Sequence, residues 1–379
     1  MASIYEQFGV RAGINARGNQ TLLGGSTPPQ EVQEAMDEAL TAYCSMEELL
    51  RKTGDFIANT LGTEGAFVTS GAAAAIALSS AAALCGSDRE KMAQIPDTSH
   101  MKNEFVFQKC QDYSYKRCFT IPGAKLVEVG TEQGCKLEQI EKAIGPKTAA
   151  IAYYESGRWG GNVVSLQKVR EIARKHNIPV VVDAAGQIYP LDQFTKVARG
   201  GDIVAFGAKY FGSPHSTGIC TGRKDLVESA FQQNFIGFES AGQKGLARPF
   251  GRPFKTDRGE VIAVAVALRR WFSMNHEERL IAEDAKRRRI STKLAGVRGV
   301  STKVPTEPQL GPNVVVNVHI DPALAGKSAA QVMQELEEGN PPIWTRTLDG
   351  GKSIGIGVQV LTDEEVEIVA DRLKAAVSK

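Results

Sequence analysis

A single lysine follows an apolar segment in the middle of the chain. Residues 203–208 (Ile-Val-Ala-Phe-Gly-Ala) precede Lys209, and a stretch rich in Gly, Ser and Pro follows it. A lysine at the end of a buried strand is desolvated, which lowers its pKa and leaves a neutral, nucleophilic amine. Such an amine forms a Schiff base with an aldehyde. By itself the pattern also fits a surface lysine, which is common in glycine-rich loops.

A carboxylate lies upstream at the end of a second apolar segment. Residues 178–182 (Ile-Pro-Val-Val-Val) predict a buried strand that ends at Asp183, and the chain between Asp183 and Lys209 has room for one helix. An aspartate at a strand end can also be a helix cap. Pyridoxal phosphate (PLP) is the aldehyde cofactor that combines a lysine Schiff base with a carboxylate at its ring nitrogen. The pair therefore predicts a PLP site, with Lys209 and Asp183 as its catalytic residues.

A third segment has the features of a phosphate site. Ser70 and Gly71 precede an alanine-rich helix that is predicted from Ala72 to Leu84. The first N–H groups of a helix are not bonded within it, and the positive end of its dipole favours an anion. A serine N-cap on a tightly packed helix is the alternative interpretation. Together with Asp183 and Lys209, the segment favours a phosphate site at Ser70, Gly71 and Ala72.

The elements around these residues alternate between strand and helix. Apolar runs predict strands at 104–108, 125–129, 149–154 and 178–183, and helical spacing predicts helices at 137–144 and 166–176. This alternation is typical of an α/β fold with a mostly parallel sheet flanked by helices, in which ligands bind beyond the carboxyl ends of the strands.

The C-terminal part differs in pattern. Residues 313–320 and 352–360 predict two more strands, and Thr362 with Glu365 forms the capping-box pattern at the start of a helix. These elements predict a smaller C-terminal α+β domain. We therefore expect an N-terminal arm over residues 1–45, a large PLP-binding domain over 46–255 and the small domain over 256–379.

Composition excludes several classes of protein. The chain has 379 residues, of which 42% are hydrophobic and 23% charged, and a net charge of +2. This balance argues against a nucleic-acid partner. The six cysteines have no metal-binding spacing, and the N-terminus has no targeting signal, so we expect free thiols in the cytoplasm and no metal. The uncharged span from Gly65 to Ser87 is mostly small residues, which predicts a buried helix and no membrane segment.

Several segments resemble those of fold-type I PLP-dependent enzymes, and more narrowly the selenocysteine synthase-like group. The resemblance covers most of the chain. It is carried by Ile14-Asn15, Leu23–Ser26, Thr69–Ala73, Val182–Ala185, Lys209 with Gly212 and Pro214, Gly251–Lys255 and Pro341–Arg346. It implies a fold-type I, PLP-dependent transferase-like fold with pyridoxal 5'-phosphate as cofactor.

The resemblance also implies roles for further residues. Ala185 and Gln111 would contact the cofactor, with Gln111 at the position where relatives carry a His or an aromatic residue that stacks on the pyridine ring. A glutamine amide can cover the ring but cannot titrate. Relatives also carry a Ser or Thr just before the lysine, whereas this chain has Ala208. The phosphate would then depend on Ser70–Ala72, with Arg252 and Lys255 as candidates for a contribution from a partner subunit. A basic surface loop is the other interpretation of these two residues.

The remaining residues concern the substrate. Arg346 would bind the substrate carboxylate, since a guanidinium holds a carboxylate through two parallel hydrogen bonds. A structural ion pair is the other interpretation. The resemblance implies that the N-terminal arm reaches the active site, which makes Arg17 and Ser26 substrate-binding candidates.

The implied activity begins with removal of the Cα proton of an amino acid or amino sugar acid by Lys209. We expect β-elimination and deamination to a 2-keto acid, as in an ammonia-lyase. The alternatives are a racemase or epimerase and, from a different class, a non-catalytic PLP-binding protein. Fold-type I sites usually form between subunits, so we expect a homodimer or a larger homo-oligomer.

Overall fold

The computed structural model describes residues 4–157, 159–237, 249–305 and 314–378. Within these ranges the helices are α1 (Ile4–Gln7), α2 (Gln30–Leu40), α3 (Met46–Leu61), α4 (Ala72–Cys85), α5 (Arg89–Gln94), α6 (Arg117–Thr120), α7 (Leu137–Ala143), α8 (Leu166–Lys175), α9 (Leu191–Gly200), α10 (Lys224–Gln232), α11 (Arg258–Ser273), α12 (His276–Leu294), α13 (Pro322–Ala325), α14 (Ala329–Glu338) and α15 (Asp363–Val377). Short 3-10 helices cover Thr21–Leu23, Lys109–Gln111, Ala208–Phe211 and Asp349–Gly351.

The strands in the same ranges are β1 (Ile14–Asn15), β2 (Gly65–Thr69), β3 (Glu104–Gln108), β4 (Lys125–Val129), β5 (Thr148–Tyr154), β6 (Val180–Asp183), β7 (Ile203–Gly207), β8 (Gly218–Gly222), β9 (Val300–Lys303), β10 (Val315–Ile320), β11 (Ile343–Trp344), β12 (Arg346–Leu348) and β13 (Ser353–Gly357). The strands and helices predicted from the sequence lie within one or two residues of these bounds, apart from the last strand, which ends three residues early.

The chain divides into two compact units. The larger unit comprises residues 28–272, and the smaller comprises residues 1–27 together with 273–379. This grouping places residues 28–45 and 256–272 in the larger unit, whereas the sequence assigned them to the arm and to the small domain. The start of the arm belongs with the C-terminal part because β1 pairs in parallel with β11, Ile14 opposite Ile343.

The larger unit is built on a seven-stranded sheet in the order β2-β8-β7-β6-β5-β3-β4. Strands β4, β3, β5, β6 and β7 run parallel, and β8 runs antiparallel to both of its neighbours, β7 and β2. Strands β6, β7 and β8 are buried along their whole length. Continuous apolar strands of this kind occur in sheets that are covered on both faces.

Helix α4 explains the uncharged span of the sequence. Eleven of its fourteen residues are buried, and it packs against β7 and β8. Ten of its fourteen residues are alanine or serine, and such small side chains suit a helix that is buried among other elements. The segment from Gly65 to Ser87 is therefore a strand followed by a core helix, as predicted.

The smaller unit contains a four-stranded antiparallel sheet in the order β12-β13-β10-β9. Helices α12, α14 and α15 pack on it around a core that includes Val316, Ile354 and Leu373. Thr362 and Glu365 form the predicted capping box at the start of α15. The α/β class, the mostly parallel sheet and the smaller α+β part are thus confirmed.

Among the helices of the described residues, none combines the length and the apolarity needed to cross a bilayer.

Candidate active site

The predicted catalytic and cofactor residues of the larger unit meet at one edge of its sheet. Strands β3, β5, β6 and β7 all end at this edge because they run parallel. Strand β2 ends there as well, since it is antiparallel to β8, which is itself antiparallel to β7. In an open α/β sheet, ligands bind beyond the carboxyl ends of the strands. The edge therefore has the position of an active site.

Lys209 lies in the 3-10 helix that follows β7. It is half-buried, its Nζ lies 5.2 Å from the centroid of the Tyr210 ring, and burial lowers its pKa. A lowered pKa increases the fraction of neutral amine at neutral pH, which is the nucleophilic and basic form.

Asp183 ends β6, the strand next to β7, and is 4% exposed. Burial raises its pKa, whereas two hydrogen bonds to its carboxylate oxygens oppose that rise. The main-chain N–H of Ala185 donates to Oδ1 at 2.9 Å, and the hydroxyl of Tyr113 donates to Oδ2. The carboxylate is thus held in a fixed orientation by groups that stabilise its charged form.

Tyr113 and Gln111 follow β3 and line the same edge. Burial and the charge of Asp183 raise the pKa of Tyr113, so its hydroxyl stays protonated and acts as a donor. Its ring lies 4.7 Å from that of Tyr154, centroid to centroid. The Gln111 amide is buried and bonds the main chain of Tyr154 in both directions: Nε2 donates to its oxygen at 2.9 Å, and Oε1 accepts from its nitrogen at 3.3 Å. The role of Gln111 as a cover for the cofactor ring stays a prediction.

The start of α4, with Ser70, Gly71 and Ala72, is the segment predicted to bind the phosphate, and we call it the cup. Gly71 is its N-cap with φ of 89°, a conformation that favours glycine, and no side chain caps the helix. The first turn carries no acidic residue. Gly218, the first residue of β8, lies so close that a Cβ there would be 2.5 Å from the Gly71 carbonyl carbon and 2.7 Å from the Ala72 nitrogen. Only a glycine at 218 leaves the backbone of the cup undisturbed.

These residues fit PLP. The cofactor needs an anion site for its phosphate, an amine for its aldehyde and a carboxylate for its ring nitrogen. The uncapped start of α4, the half-buried Lys209 and the buried Asp183 are of these three types, and they occupy the ends of β2, β7 and β6. The start of α4 and Asp183 both lie far from Lys209 along the chain, so it is the fold that brings the three groups to one edge.

Two predicted phosphate contacts lie apart from the strand ends. Arg252 and Lys255 are exposed residues of the larger unit, in the loop before α11. A role in a partner's site is consistent with this exposure and stays a prediction.

The predicted substrate residues belong to the smaller unit. Arg346 donates from Nε to the main-chain oxygen of Arg17 at 2.5 Å, and Arg17 donates from Nε to Gln20 Oε1 at 2.9 Å. A Cβ on Gly18 would lie 3.0 Å from Arg346 Nη2, so the Arg346 guanidinium packs against this glycine turn. Ser26 follows in the same unit and is half-buried. Arg346 thus contacts the main chain of Arg17, and the substrate-binding roles of Arg346, Arg17 and Ser26 stay predictions.

Sequence reasoning missed four residues at the sheet edge. The Tyr113 hydroxyl donates to Asp183, and Gly218 lies against the main chain of the cup. The pKa of His215 is lowered by burial and by the charge of Lys209. Glu155 follows β5, donates its main-chain N–H to the Asp183 oxygen at 2.8 Å, and has a pKa raised by burial. His215 and Gly218 lie in the stretch rich in Gly, Ser and Pro that follows Lys209. Their residue types can be seen in the sequence, but their positions relative to the strand ends depend on the conformation of the loop.

Comparison with known proteins also points to a PLP-dependent enzyme. A model of the family described as Aminotransferase class-V matches residues 29–320. The chain is 31% identical to a 5'-C-glycyluridine monooxygenase-decarboxylase of Streptomyces sp over 90% of this chain and 84% of the relative. It is 27% identical to D-glucosaminate-6-phosphate ammonia lyase of Salmonella typhimurium over 98% of this chain and 97% of the relative. A solved structure of D-glucosaminate-6-phosphate ammonia-lyase matches with a TM-score of 0.84 and 26% identity, covering 100% of this chain and 98% of that one.

Fold and site together define a fold-type I PLP-dependent enzyme. The chain belongs to the aminotransferase class-V family. The family resemblance and the cofactor predicted from the sequence are both confirmed.

Proposed function

We propose that the protein is a PLP-dependent lyase that acts on an amino acid or amino sugar acid by β-elimination and deamination to a 2-keto acid. The observation that carries this proposal is the convergence of the α4 cup, Asp183 and Lys209 at one sheet edge. The ammonia-lyase relative, matched over nearly the whole of both chains in sequence and structure, supports the lyase type. A substrate such as D-glucosaminate 6-phosphate, named by that relative, is our first candidate.

The chain's own residues account for the proton movements of this reaction. Lys209 Nζ would hold the cofactor, and as a free amine it would take the Cα proton of the substrate. Asp183 keeps a proton at the ring nitrogen, since a buried carboxylate with two donors strongly favours a positive partner. When bound, PLP supplies an electron sink for the electron pair left at Cα. Arg346, with Arg17, orients the substrate through its carboxylate.

A second activity has a specific observation in its favour. The relative with the highest identity of those described above is named as a monooxygenase-decarboxylase of a glycyl nucleoside. Its name, like that of the lyase relative, denotes a substrate with an amino-acid group. We therefore add oxygen-dependent decarboxylation as an alternative. Racemisation or epimerisation, which also begins with removal of the Cα proton, is the other.

Proton NMR of the PLP-loaded enzyme in D2O tests the proposal. The panel contains D-glucosaminate 6-phosphate, both enantiomers of serine and threonine, and several plain amino acids. A substrate that loses its amine and appears as a deuterated 2-keto acid is the expected result. Exchange at Cα with the amine retained would favour the racemase or epimerase. Product formation that requires dissolved oxygen and releases CO2 would favour the decarboxylase.

Lys209→Ala and Asp183→Asn serve as paired variants. The first should take up PLP without forming a covalent bond, and the second should bind PLP covalently but lose turnover by several orders of magnitude. Full activity in either variant would contradict the assigned roles.

A further inference from the structure

His215 lies in a closed turn after Lys209. The turn is held by its own bonds: Ser213 donates its main-chain N–H to the Ala208 oxygen at 3.2 Å, and the Thr217 hydroxyl donates to the Pro214 oxygen at 2.7 Å. Ala208 in turn donates to the Thr217 oxygen at 3.0 Å, which ties the end of the turn to the residue before Lys209. The turn thus returns the chain to Lys209 and fixes the place of His215.

The imidazole of His215 has an unused ring atom. Its Nδ1 is shielded from solvent, and within the described part of the chain it has no hydrogen-bond partner. A buried ring nitrogen without a partner is costly in a merely structural histidine. A nitrogen that takes part in proton transfer must instead be open to a donor or acceptor.

The charges around His215 favour its neutral form. Burial and the charge of Lys209 both lower its pKa, so the imidazole can accept a proton at neutral pH. The next residue, Ser216, donates to Glu260 of α11, while Asp183 and Glu155 occupy neighbouring strand ends. Of these charged groups, Lys209 is the one whose charge lowers the pKa of His215.

Elimination of a β-hydroxyl requires a proton to move from Cα of the substrate to the leaving oxygen. The Cα–H bond breaks, and its proton passes to Lys209 Nζ. The Cβ–O bond breaks with its electron pair on oxygen, which must gain one proton to leave as water. Lys209 therefore holds one proton more than at the start, and the leaving oxygen needs one.

We propose that His215 relays this proton: it accepts one at Nδ1 from the Lys209 ammonium and delivers one from its other ring nitrogen to the departing hydroxyl. The net change moves one proton from Cα to oxygen and needs no oxidant or reductant. This inference rests on the proposed lyase reaction, in which Lys209 is the Cα base, and it adds the group that completes the elimination.

The first test uses the cofactor-free protein and no substrate. Its five histidines are labelled with 13C at Cε1, and the His215 signal is assigned as the one lost in His215→Gln. We expect its titration midpoint to move to higher pH in Lys209→Met, because that variant removes the positive charge beside it. The other four signals serve as the internal reference. An identical His215 midpoint in both proteins would overturn the proposed coupling.

The second test uses the PLP-loaded enzyme with D-glucosaminate 6-phosphate. In His215→Gln we expect Cα–H to D exchange to continue while keto-acid release falls by about 100-fold or more, the usual contribution of a positioned acid or base. His215→Ala should behave alike and regain part of its release rate with added imidazole. His176→Gln, which changes a histidine beside Glu141 at the end of α8, is the matched control and should retain full activity.

The outcomes separate the two proposals. Unchanged release in His215→Gln, or loss of exchange and release together without imidazole rescue, would overturn the relay and leave the lyase intact. No elimination of any panel substrate by the wild-type enzyme would instead overturn the lyase. The NMR coupling of His215 to Lys209 does not depend on that result.

Discussion

At the scale of the residue, Asp183 is a buried carboxyl group, and burial disfavours its charged form. The pKa of its carboxyl is raised by burial. A group whose pKa is higher in the folded than in the unfolded chain contributes stability that is present at low pH and is lost as the pH rises. The cofactor-free protein should therefore lose stability from Asp183 as the pH rises from about 4, the ordinary value of an aspartate.

Asp183→Asn should remove this pH dependence. The amide can keep both hydrogen bonds, to Ala185 and Tyr113, without a charge. We expect the variant to be more stable than the wild type by about 1–3 kcal/mol at pH 8, with the difference shrinking toward pH 5. Thermal unfolding of both cofactor-free proteins across this range measures it. A difference that grows toward acid would show that the folded chain prefers the charged carboxylate.

Tyr113 should act on the same carboxylate. Its hydroxyl donates to Asp183, and a hydrogen bond to a charged group is worth about 1.5–3 kcal/mol. Tyr113→Phe should therefore destabilise the cofactor-free protein more at pH 8 than at pH 5.

A double-mutant cycle isolates this interaction. In an Asp183→Asn background Tyr113→Phe should cost less, and the coupling energy of the pair should be about 1–2 kcal/mol. Tyr115→Phe is the control, since Tyr115 is 68% exposed. Equal effects of Tyr113→Phe in both backgrounds would mean that the tyrosine acts through packing alone.

At the scale of the element, the phosphate cup depends on the fit between the start of β8 and the start of α4. A Cβ at position 218 would meet the main chain of Gly71 and Ala72. Real Cβ atoms do not approach backbone to 2.5 Å, so the start of α4 must shift. In the proposed site the start of the helix binds the anion, so such a shift would move the phosphate ligands.

Gly218→Ala should accordingly weaken PLP binding by at least about tenfold, or ~1.4 kcal/mol. The affinity for pyridoxal, which has no phosphate, should change far less. Absorbance titrations of the two compounds compare their affinities. Gly145→Ala is the matched control, since nothing lies within 4 Å of a Cβ at Gly145. Equal losses for PLP and pyridoxal would indicate general damage to the fold. No loss for PLP would place the phosphate elsewhere.

At the scale of the whole molecule, we predict that Arg252 and Lys255 act at the phosphate site of a partner subunit. Both are exposed in the larger unit. If they complete the site of a partner, a subunit that lacks Lys209 and a subunit that lacks Arg252 can together form one intact site. If they act within their own subunit, no combination restores one.

Mixed oligomers distinguish these cases. Lys209→Ala and Arg252→Ala should each be inactive. When the two are co-expressed and form dimers at random, half of the dimers contain one chain of each kind and have one intact site out of two. About a quarter of wild-type activity should therefore return. Light scattering gives the subunit number, and a mixture of wild type with Lys209→Ala calibrates the exchange. Absence of any recovery in verified mixed oligomers would assign Arg252 to its own chain.

Much of this protein could be predicted from its sequence because its chemistry is concentrated at strand ends. A buried strand is a continuous apolar run, and the polar residue that ends it stands out; Asp183 and Lys209 were found in this way. The same applies to α4, whose small residues predicted a buried helix, although only the structure shows that Gly71 is its N-cap and that no side chain caps it. Alternation of strands and helices was enough to predict the α/β class.

Tertiary structure alone decided which side chains meet. Tyr113 reaches Asp183 across 70 residues of chain, and Gly218 reaches Gly71 because β8 runs antiparallel beside β2. Hydrophobic periodicity reports burial, and it does not report strand order or the direction of a loop. The pairing of β1 with β11, which joins the two ends of the chain in one unit, has the same origin. What a residue can do therefore follows from its type and local setting, whereas the partner it acts with follows from the packing of distant segments.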